Sequence, residues 1–194
     1  MSKFIVIEGP DRVGKATQTK LLKEFLESQG KSVLAVEVPL RSNFIYHIIY
    51  WMLGNGLAKK LPKHFQWMQY FNRQIFQWTK LPKLEKEYDY IVMDRWSLST
   101  SIYGAATNLP ESFTKDLYDR LRCPDYTFVL LGPAHKHEAE DVYEADSELQ
   151  KTVRELYAEW TEQHPGKSLK IDCRLPKESI SGIIVSTLKE FDLL

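Results

Sequence analysis

The stretch that decides the fold is Glu8-Gly9-Pro10-Asp11-Arg12-Val13-Gly14-Lys15-Ala16-Thr17. Residues 4–7 before it form an uninterrupted apolar run, which predicts a buried strand. Residues 18–29 after it have the apolar spacing of an amphipathic helix, and Gly30 ends the pattern. A loop bracketed by two glycines therefore joins a strand to a helix N-terminus, where unpaired backbone N–H groups and the helix dipole favour a bound anion. The sequence predicts a phosphate-binding loop at this position.

The loop has the P-loop pattern, in which a glycine, four residues, a glycine and a lysine hold the phosphates of a nucleotide. Lys15 adds a full positive charge for the β- and γ-phosphates. Its place between a buried strand and an amphipathic helix makes a chance glycine turn a poor explanation. The predicted ATP-binding residues are the loop and the start of the helix: Gly9, Pro10, Asp11, Arg12, Val13, Gly14, Lys15, Ala16 and Thr17.

Ala16 departs from this pattern, which places a Ser or Thr hydroxyl after the lysine as a ligand of Mg²⁺. Thr17 lies about 100° further around the helix, so its hydroxyl does not simply replace the missing ligand. Two interpretations stay open. Either the metal is held by phosphates, water and another residue, or the protein binds nucleotides and is a weak catalyst.

The composition bounds the class of protein. The chain has 194 residues, enough for one domain over 1–194 with a sizeable core. Its 26 basic residues balance its 26 acidic residues, so no net field favours a nucleic-acid polymer or a membrane surface. We find no signal peptide and no apolar run of about 18 residues. The two cysteines lack metal-site spacing and suit a reducing compartment, so we expect a cytoplasmic protein.

Apolar runs and helical patterns alternate along the whole chain. This alternation, with a P-loop after the first run, predicts a three-layer α/β fold of the P-loop NTPase type, with a five-stranded, mainly parallel sheet. The predicted strands are 4–7, 32–38, 88–93, 126–131 and 169–172. The predicted helices are 18–29, 43–53, 63–80, one from 97, 111–121, 147–164 and 177–191.

Charged residues follow the predicted strands at the edge where open α/β sheets bind ligands. Arg41 follows the second strand and is placed to reach a second phosphate. Asp94 and Arg95 end the third strand, where a carboxylate on the Mg²⁺ side of a P-loop site and a further guanidinium belong. The polar residues around 133–145 predict a lid over the site.

One stripe of the predicted helix 63–80 suits a planar base. Phe65, Gln69 and Arg73 are spaced by four residues, so an aromatic face, an amide and a guanidinium share one side of the helix. The alternative is that the aromatic residues of this helix are core and that Arg73 is solvated. We place the nucleotide-acceptor region at about 39–82.

From residue 4 to about 191 the chain resembles the thymidylate kinases, which are P-loop nucleoside monophosphate kinases. The resemblance implies transfer of the γ-phosphoryl group of ATP to a deoxynucleoside monophosphate, dTMP by preference, with Mg²⁺ as cofactor. It also implies a homodimer formed through the apolar helix 43–53. The segments that carry it are 7–18, 38–41, Asn72-Arg73, 94–96 with the hydroxyl residues after it, Pro124-Asp125, Tyr143-Glu144 and Ile171-Asp172.

The same resemblance implies roles on the donor side of the site. Lys15 and the loop amides hold the donor nucleotide, and Arg12 contributes to phosphoryl transfer. Asp94 resembles the strand-end carboxylate near Mg²⁺. Asp11 resembles the loop carboxylate that contacts the 3′-hydroxyl of the acceptor. The implied catalytic group is therefore Arg12, Lys15, Asp94 and Arg95.

On the acceptor side, Arg41 and Arg95 resemble the arginines that bind the acceptor phosphate. Arg73 resembles the arginine that hydrogen-bonds thymine, and Tyr103 the aromatic residue that lines the deoxyribose pocket. Tyr143, in the predicted lid, and Asp11 complete the set that the resemblance implies. The stripe on helix 63–80 adds Phe65 and Gln69 to the predicted substrate-binding residues.

Two further residues depart from the family pattern, and the first of them concerns the acceptor base. Gln69 stands where the family has a phenylalanine that stacks on thymine, and Trp96 replaces a tyrosine. A modified or different deoxypyrimidine, stacked on Phe65 or Trp67, is one interpretation. A Gln69→Phe variant with an unchanged ranking of acceptors would contradict it. The competing enzyme is a deoxynucleoside kinase, with Glu37 as the base that activates a 5′-hydroxyl.

Overall fold

The computed structural model describes residues 2–133, 143, 144 and 146–194. Within these residues five strands form one sheet in the order β2-β3-β1-β4-β5, and every neighbouring pair is parallel. The predicted α/β fold with a parallel sheet is therefore confirmed. The strands are β1 (Lys3–Glu8), β2 (Val33–Glu37), β3 (Tyr90–Asp94), β4 (Tyr126–Leu131) and β5 (Ser168–Asp172).

Helices cover both faces of this sheet. β1 shows why: Ile5 and Ile7 belong to one buried cluster, and Phe4 and Val6 to another, so both faces of the strand are apolar. Helices α1 and α9 pack on the first face. The helices in the described residues are α1 (Lys15–Ser28), α2 (Ile45–Gly54), α3 (Leu57–Lys60), α4 (Pro62–Thr79), α5 (Leu81–Glu87), α6 (Ser97–Ala106), α7 (Glu111–Asp119), α8 (Ser147–Gln163) and α9 (Lys177–Glu190).

The structure contains two short helices that the sequence does not predict. Neither α3 nor α5 is predicted, because helices of four and seven residues are too short for a clear apolar period. Pro82 lies in the first turn of α5, where proline has no hydrogen bond to lose. α2 begins without a side-chain cap, and Asn43 just before it donates from its Nδ2 to the backbone oxygen of Asn72 at 3.3 Å.

The sheet order places the P-loop at its centre. β1 lies between β3 and β4, and Ile7 is in register with Asp94, which is itself in register with Glu37 on β2. The ends of three strands therefore meet beside the loop. None of the helices in the described part of the chain is long and apolar enough to cross a membrane.

Candidate active site

The P-loop is held in shape by its two glycines. Gly9 has a φ of 138°, and a side chain there would overlap the carbonyl oxygen of Leu130 on β4. Gly14 has a φ of 91° and directly precedes α1. Lys15, the first residue of α1, bends back so that its Nζ donates to the backbone oxygen of Pro10 at 2.5 Å. The loop is thus closed on itself around a buried ammonium group.

A cavity of about 610 Å³ runs from this loop to α4 and α6. It brings together most of the predicted site. The predicted residues in its wall are Asp11, Arg12, Gly14, Lys15, Ala16, Thr17, Phe65, Gln69, Arg73, Asp94, Arg95, Tyr103 and Tyr143. Gly9, Pro10, Val13 and Arg41 are not part of the wall.

Asp11 is the centre of a hydrogen-bonded cluster in this wall. Its carboxylate pairs with the guanidinium of Arg95, and it accepts hydrogen bonds from the Tyr103 hydroxyl at 2.6 Å and from Gln150 Nε2 at 2.7 Å. Burial alone raises the pKa of Asp11, but the charges of Arg95 and Lys15 together with the hydrogen bonds from Tyr103 and Gln150 outweigh it, so the pKa is lowered. Asp11 is therefore an anion that fixes Arg95 at the cavity wall.

Burial shifts the pKa values of Lys15 and Asp94 in opposite directions. Burial, followed by the charge of Arg95, lowers the pKa of Lys15 to about 8, although Asp94 and Asp11 oppose this. Burial raises the pKa of Asp94, although Lys15 and Arg95 oppose that shift. Phosphate oxygens beside Lys15 would stabilise its charged form, and a cation beside Asp94 would do the same for the carboxylate.

Two arginines of the site have left-handed backbones. Arg12 has a φ of 60° and Arg95 a φ of 68°, a conformation that costs a residue with a Cβ about 1–2 kcal/mol. The Nε of Arg12 lies 3.8 Å from Oε2 of Glu144. The Nη1 of Arg95 donates to the Gly9 oxygen at 2.9 Å. Strained backbones of this kind concentrate at functional sites, where the rest of the structure imposes them.

Arg73 is not the solvated residue of the alternative interpretation. It is 2% exposed, its Nε donates to the Trp96 oxygen at 2.9 Å, and its Nη1 donates to Gln69 Oε1 at 2.9 Å. Burial lowers its pKa to about 10, so it stays charged at neutral pH. The side chain of Gln69 is thus a partner of Arg73.

Three aromatic rings line the acceptor end of the cavity. Tyr143 stacks on Tyr103 with 5.9 Å between ring centroids, and Phe65 meets Tyr143 edge-on at 5.4 Å. Trp67 instead stacks on Phe71 and is not part of the cavity wall. Of the two predicted stacking residues, only Phe65 is therefore placed to contact a bound base.

Arg41 lies outside the cavity wall. Its side chain is 76% exposed and 4.0 Å from Glu37 Oε2, so its contact with an acceptor phosphate stays a prediction. The loop that carries it is fixed by Asn72, which accepts from Leu40 N at 2.6 Å and donates to Leu40 O at 3.0 Å. The sequence showed Asn72 beside Arg73 but gave no sign of this contact.

Glu8 lies outside the cavity wall but positions the site, and it is not among the predicted site residues. It is fully buried and accepts hydrogen bonds from Trp96 N at 2.8 Å, Ser99 Oγ at 2.5 Å and the Tyr157 hydroxyl at 2.8 Å. These bonds hold the turn between β3 and α6 in which Arg95 lies. The sequence contains one signal for this role. Glu8 directly follows a strand predicted to be buried, and a buried carboxylate needs hydrogen-bond donors around it.

One carboxylate in the cavity wall suits a magnesium ion. Asp94 is 6% exposed and faces the P-loop across the sheet edge. The described residues contain no group of three His, Cys, Asp or Glu side chains that could hold a metal by themselves. Mg²⁺ commonly takes one or two carboxylates and completes its shell with phosphates and water, so Asp94 fits it. Of the predicted lid, 134–142 and 145 lie outside the described residues.

The fold and the site define a class. A P-loop lies on the central strand, and a carboxylate and an arginine end the next strand. The cavity continues past them between α4 and α6. These are the features of a P-loop phosphotransferase with a nucleotide acceptor.

Comparison with known proteins narrows this class to one family. The thymidylate kinase family model matches residues 7–184. A thymidylate kinase of Plasmodium falciparum is 29% identical over 191 residues, which cover 94% of this chain and 88% of the relative. One of Neorickettsia sennetsu is 32% identical over 148 residues, 73% of this chain and 71% of the relative.

The chain belongs to the thymidylate kinase family, whose enzymes use ATP to phosphorylate dTMP. It is accordingly a kinase. The fold agrees, because a thymidylate kinase structure from Candida albicans superposes with a TM-score of 0.77. That superposition covers 99% of this chain and 93% of the other, at 20% identity.

Proposed function

We propose that this protein transfers the γ-phosphoryl group of ATP to the 5′-phosphate of dTMP. The donor phosphates lie on the P-loop and the acceptor lies between α4 and α6. The observation that carries the proposal is that one cavity has Lys15 and Arg12 in its wall at one end and Phe65 and Tyr103 at the other. It supports a reaction in which two nucleotides meet end to end.

The chemistry follows from the charges in the wall. Both reacting groups are anions, so the protein has to position them and stabilise their charge. Lys15, Arg12 and Arg95 supply positive charge around the point where the two phosphates meet. No general base is required, because the acceptor phosphate oxygen is already ionised. Asp11 holds Arg95 in place through the hydrogen-bonded cluster described above.

The cofactor we propose is Mg²⁺, held by Asp94 directly or through water. When bound, it neutralises charge on the donor phosphates. Ala16 lies in the cavity wall and offers no ligand, so phosphate oxygens and water complete the shell. We expect turnover to require Mg²⁺ and to stop with EDTA.

An acceptor panel tests the proposal. ADP release would be measured with Mg²⁺-ATP and dTMP, dUMP, dCMP, dGMP, dAMP or thymidine, with the Lys15→Met protein purified in parallel to report contaminating kinases. We expect turnover with dTMP above all others. Activity confined to another monophosphate would contradict dTMP as the acceptor but would still support phosphoryl transfer to a nucleoside monophosphate.

Two outcomes would favour the competing interpretations. Activity on thymidine alone would indicate the nucleoside kinase, for which Glu37 in the cavity wall would be the base. Silence on every acceptor, with ATP still bound, would indicate a nucleotide-binding protein without turnover. Ala16→Ser would then be the first variant to test for restored activity.

The charge state of Lys15 predicts a pH-dependent affinity for ATP. The pKa of Lys15 is lowered to about 8 in the free protein, and bound phosphates raise it. Above that pKa the free protein has lost the charge, so binding must take up a proton. We expect the Kd for ATP to rise about tenfold from pH 7 to pH 9, since one pKa unit corresponds to about 1.4 kcal/mol.

Titration calorimetry at both pH values measures this effect. The Lys15→Arg protein is the matched control, because a guanidinium stays charged over the whole range. Its Kd should not follow the same rise. An equal rise in both proteins would show that another group titrates.

We further propose a cytoplasmic homodimer whose subunits meet through α2. Phe44 beside this helix is 70% exposed and Trp51 on it is 60% exposed, while Ile45 and Ile49 face the core. Large apolar side chains exposed together on one helix suit a protein interface. Sedimentation equilibrium of the wild-type and Trp51→Glu proteins tests this, and a wild-type monomer at all concentrations would contradict it.

A further inference from the structure

The side chain of Gln66 on α4 is buried without a partner. Gln66 is 1% exposed, and within the part of the chain that the structure describes neither its Oε1 nor its Nε2 has a hydrogen-bond partner. A primary amide offers two donor hydrogens and an acceptor oxygen, and leaving all of them unsatisfied in a protein interior is unfavourable. Such a group requires an explanation.

Its position gives one, because Gln66 lies in the wall of the active-site cavity, next to Phe65. A second unsatisfied group lies in the same wall: Thr100 on α6 is 2% exposed, and its Oγ1 has no partner among the described residues. Both groups are on the pair of helices that bounds the acceptor end. A ligand with its own donors and acceptors would satisfy both.

The two other polar side chains of α4 in this wall, Arg73 and Gln69, already form hydrogen bonds within the protein. Arg73 has only donors, and it gives Nε and Nη1 to protein oxygens. Gln69 Oε1 accepts from Arg73. The N3–H of a thymine or uracil base needs an acceptor, which a guanidinium cannot provide. Oε1 of Gln66 is an acceptor in this wall with no bond from the described chain.

We propose that Gln66 reads the base of the acceptor nucleotide. Its Oε1 accepts from the base N3–H and its Nε2 donates to the 4-oxo group, so the amide pairs with the edge that defines thymine and uracil. The inference rests on the proposed function, since it names the residue that selects the acceptor at that site. Phe65, beside it in the chain, supplies an apolar face to the ring.

The test compares Gln66→Met with Gln74→Met. Methionine has about the same length and removes the amide. Gln74 lies about two turns further along α4, is 3% exposed and has an unsatisfied Oε1 within the described chain, but is not part of the cavity wall. The two substitutions therefore remove similar buried amides from one helix, and only Gln66 belongs to the cavity wall.

Steady-state kinetics with dTMP should separate the two variants. We expect kcat/KM for dTMP to fall about ten- to hundredfold in Gln66→Met, mainly through KM, as for the loss of a two-bond base contact. The Gln74→Met protein should match the wild type. With 1′,2′-dideoxyribose 5′-phosphate, an acceptor that lacks a base, the loss in Gln66→Met should disappear.

Thermal unfolding gives a second readout that a merely structural role would not produce. Without nucleotide, Gln66→Met should unfold at a higher temperature than the wild type, because it no longer buries an unsatisfied amide. With dTMP, its Tm should rise less than that of the wild type.

Two results would overturn the inference. One is a wild-type kcat/KM for dTMP in Gln66→Met. The other is an equal loss with and without a base on the acceptor. If the wild-type protein phosphorylates dTMP, either result leaves the proposed function intact. A wild-type protein that neither phosphorylates nor binds dTMP would overturn both proposals.

Discussion

Replacing Arg12 with alanine is expected to lower kcat about a thousandfold, with a much smaller change in the KM for either nucleotide. Arg12 lies on the P-loop and in the wall of the cavity between the donor and acceptor ends. A guanidinium at this point stabilises charge that develops as the phosphoryl group moves, and arginines in this role are worth about 10³–10⁵ in kcat. Steady-state kinetics with each nucleotide varied in turn measures the effects on kcat and on KM separately.

A loss confined to KM would contradict a role in the transition state. Arg12→Lys is the control for charge without the planar guanidinium, and we expect it to recover only part of the loss. Arg41→Ala is the control for an arginine outside the cavity wall. If Arg41 binds the acceptor phosphate, its loss should raise the KM for dTMP and leave kcat closer to the wild type.

Two substitutions of Arg12 separate the effect of its backbone conformation from the effect of its side chain. Because Arg12 has a φ of 60°, Arg12→Gly should remove strain that Arg12→Ala retains. We expect the glycine variant to exceed the alanine variant by about 1 kcal/mol in the free energy of unfolding, with equal loss of kcat. Urea unfolding of both proteins measures this difference.

Replacing Trp96 with alanine is expected to lower the free energy of unfolding by about 3–5 kcal/mol. Trp96 is fully buried, and its ring meets those of Phe4 at 5.4 Å and Phe76 at 6.2 Å edge-on. Its Nε1 donates to the Arg122 oxygen at 2.9 Å. The substitution removes the ring, opens a cavity between β1 and α4 and leaves that oxygen without its donor.

Urea unfolding with matched controls measures this loss. Trp78→Ala removes a tryptophan that is 69% exposed and should change stability by about 0.5 kcal/mol or less. Trp96→Phe keeps most of the ring packing and should cost less than Trp96→Ala. A loss below about 1 kcal/mol in Trp96→Ala would contradict the packing argument. The tyrosine typical of the family at this position can be compared through Trp96→Tyr.

The fold is predictable because its signals are local. The P-loop and the apolar run before it fix the first strand and helix, and the alternation of apolar runs and helical patterns fixes the parallel sheet. Asp94 and Arg95 are also predictable from a local signal, since they directly follow an apolar run. The short helices α3 and α5 lack such a signal.

The missed parts of the site depend on contacts between distant residues. Gln150 reaches Asp11 across 139 positions, and Tyr157 reaches Glu8 across 149. No local pattern encodes these pairs. Likewise, the burial of Arg73 depends on the backbone oxygen of Trp96 in another element, 23 positions away. The periodicity of α4 placed Arg73 beside Gln69 but could not show which atoms satisfy it.

Gln150 connects two parts of the site through the nitrogen of its side-chain amide. Its Nε2 donates both to Asp11 on the P-loop and to the backbone oxygen of Tyr143 at 3.1 Å, and Tyr143 stacks on Tyr103. A nucleotide that moves Asp11 therefore also disturbs the wall on the acceptor side. Such coupling is reciprocal: whatever factor ATP applies to the affinity for the acceptor, the acceptor applies to the affinity for ATP. Binding of either nucleotide would then change the affinity of the protein for the other by the same factor.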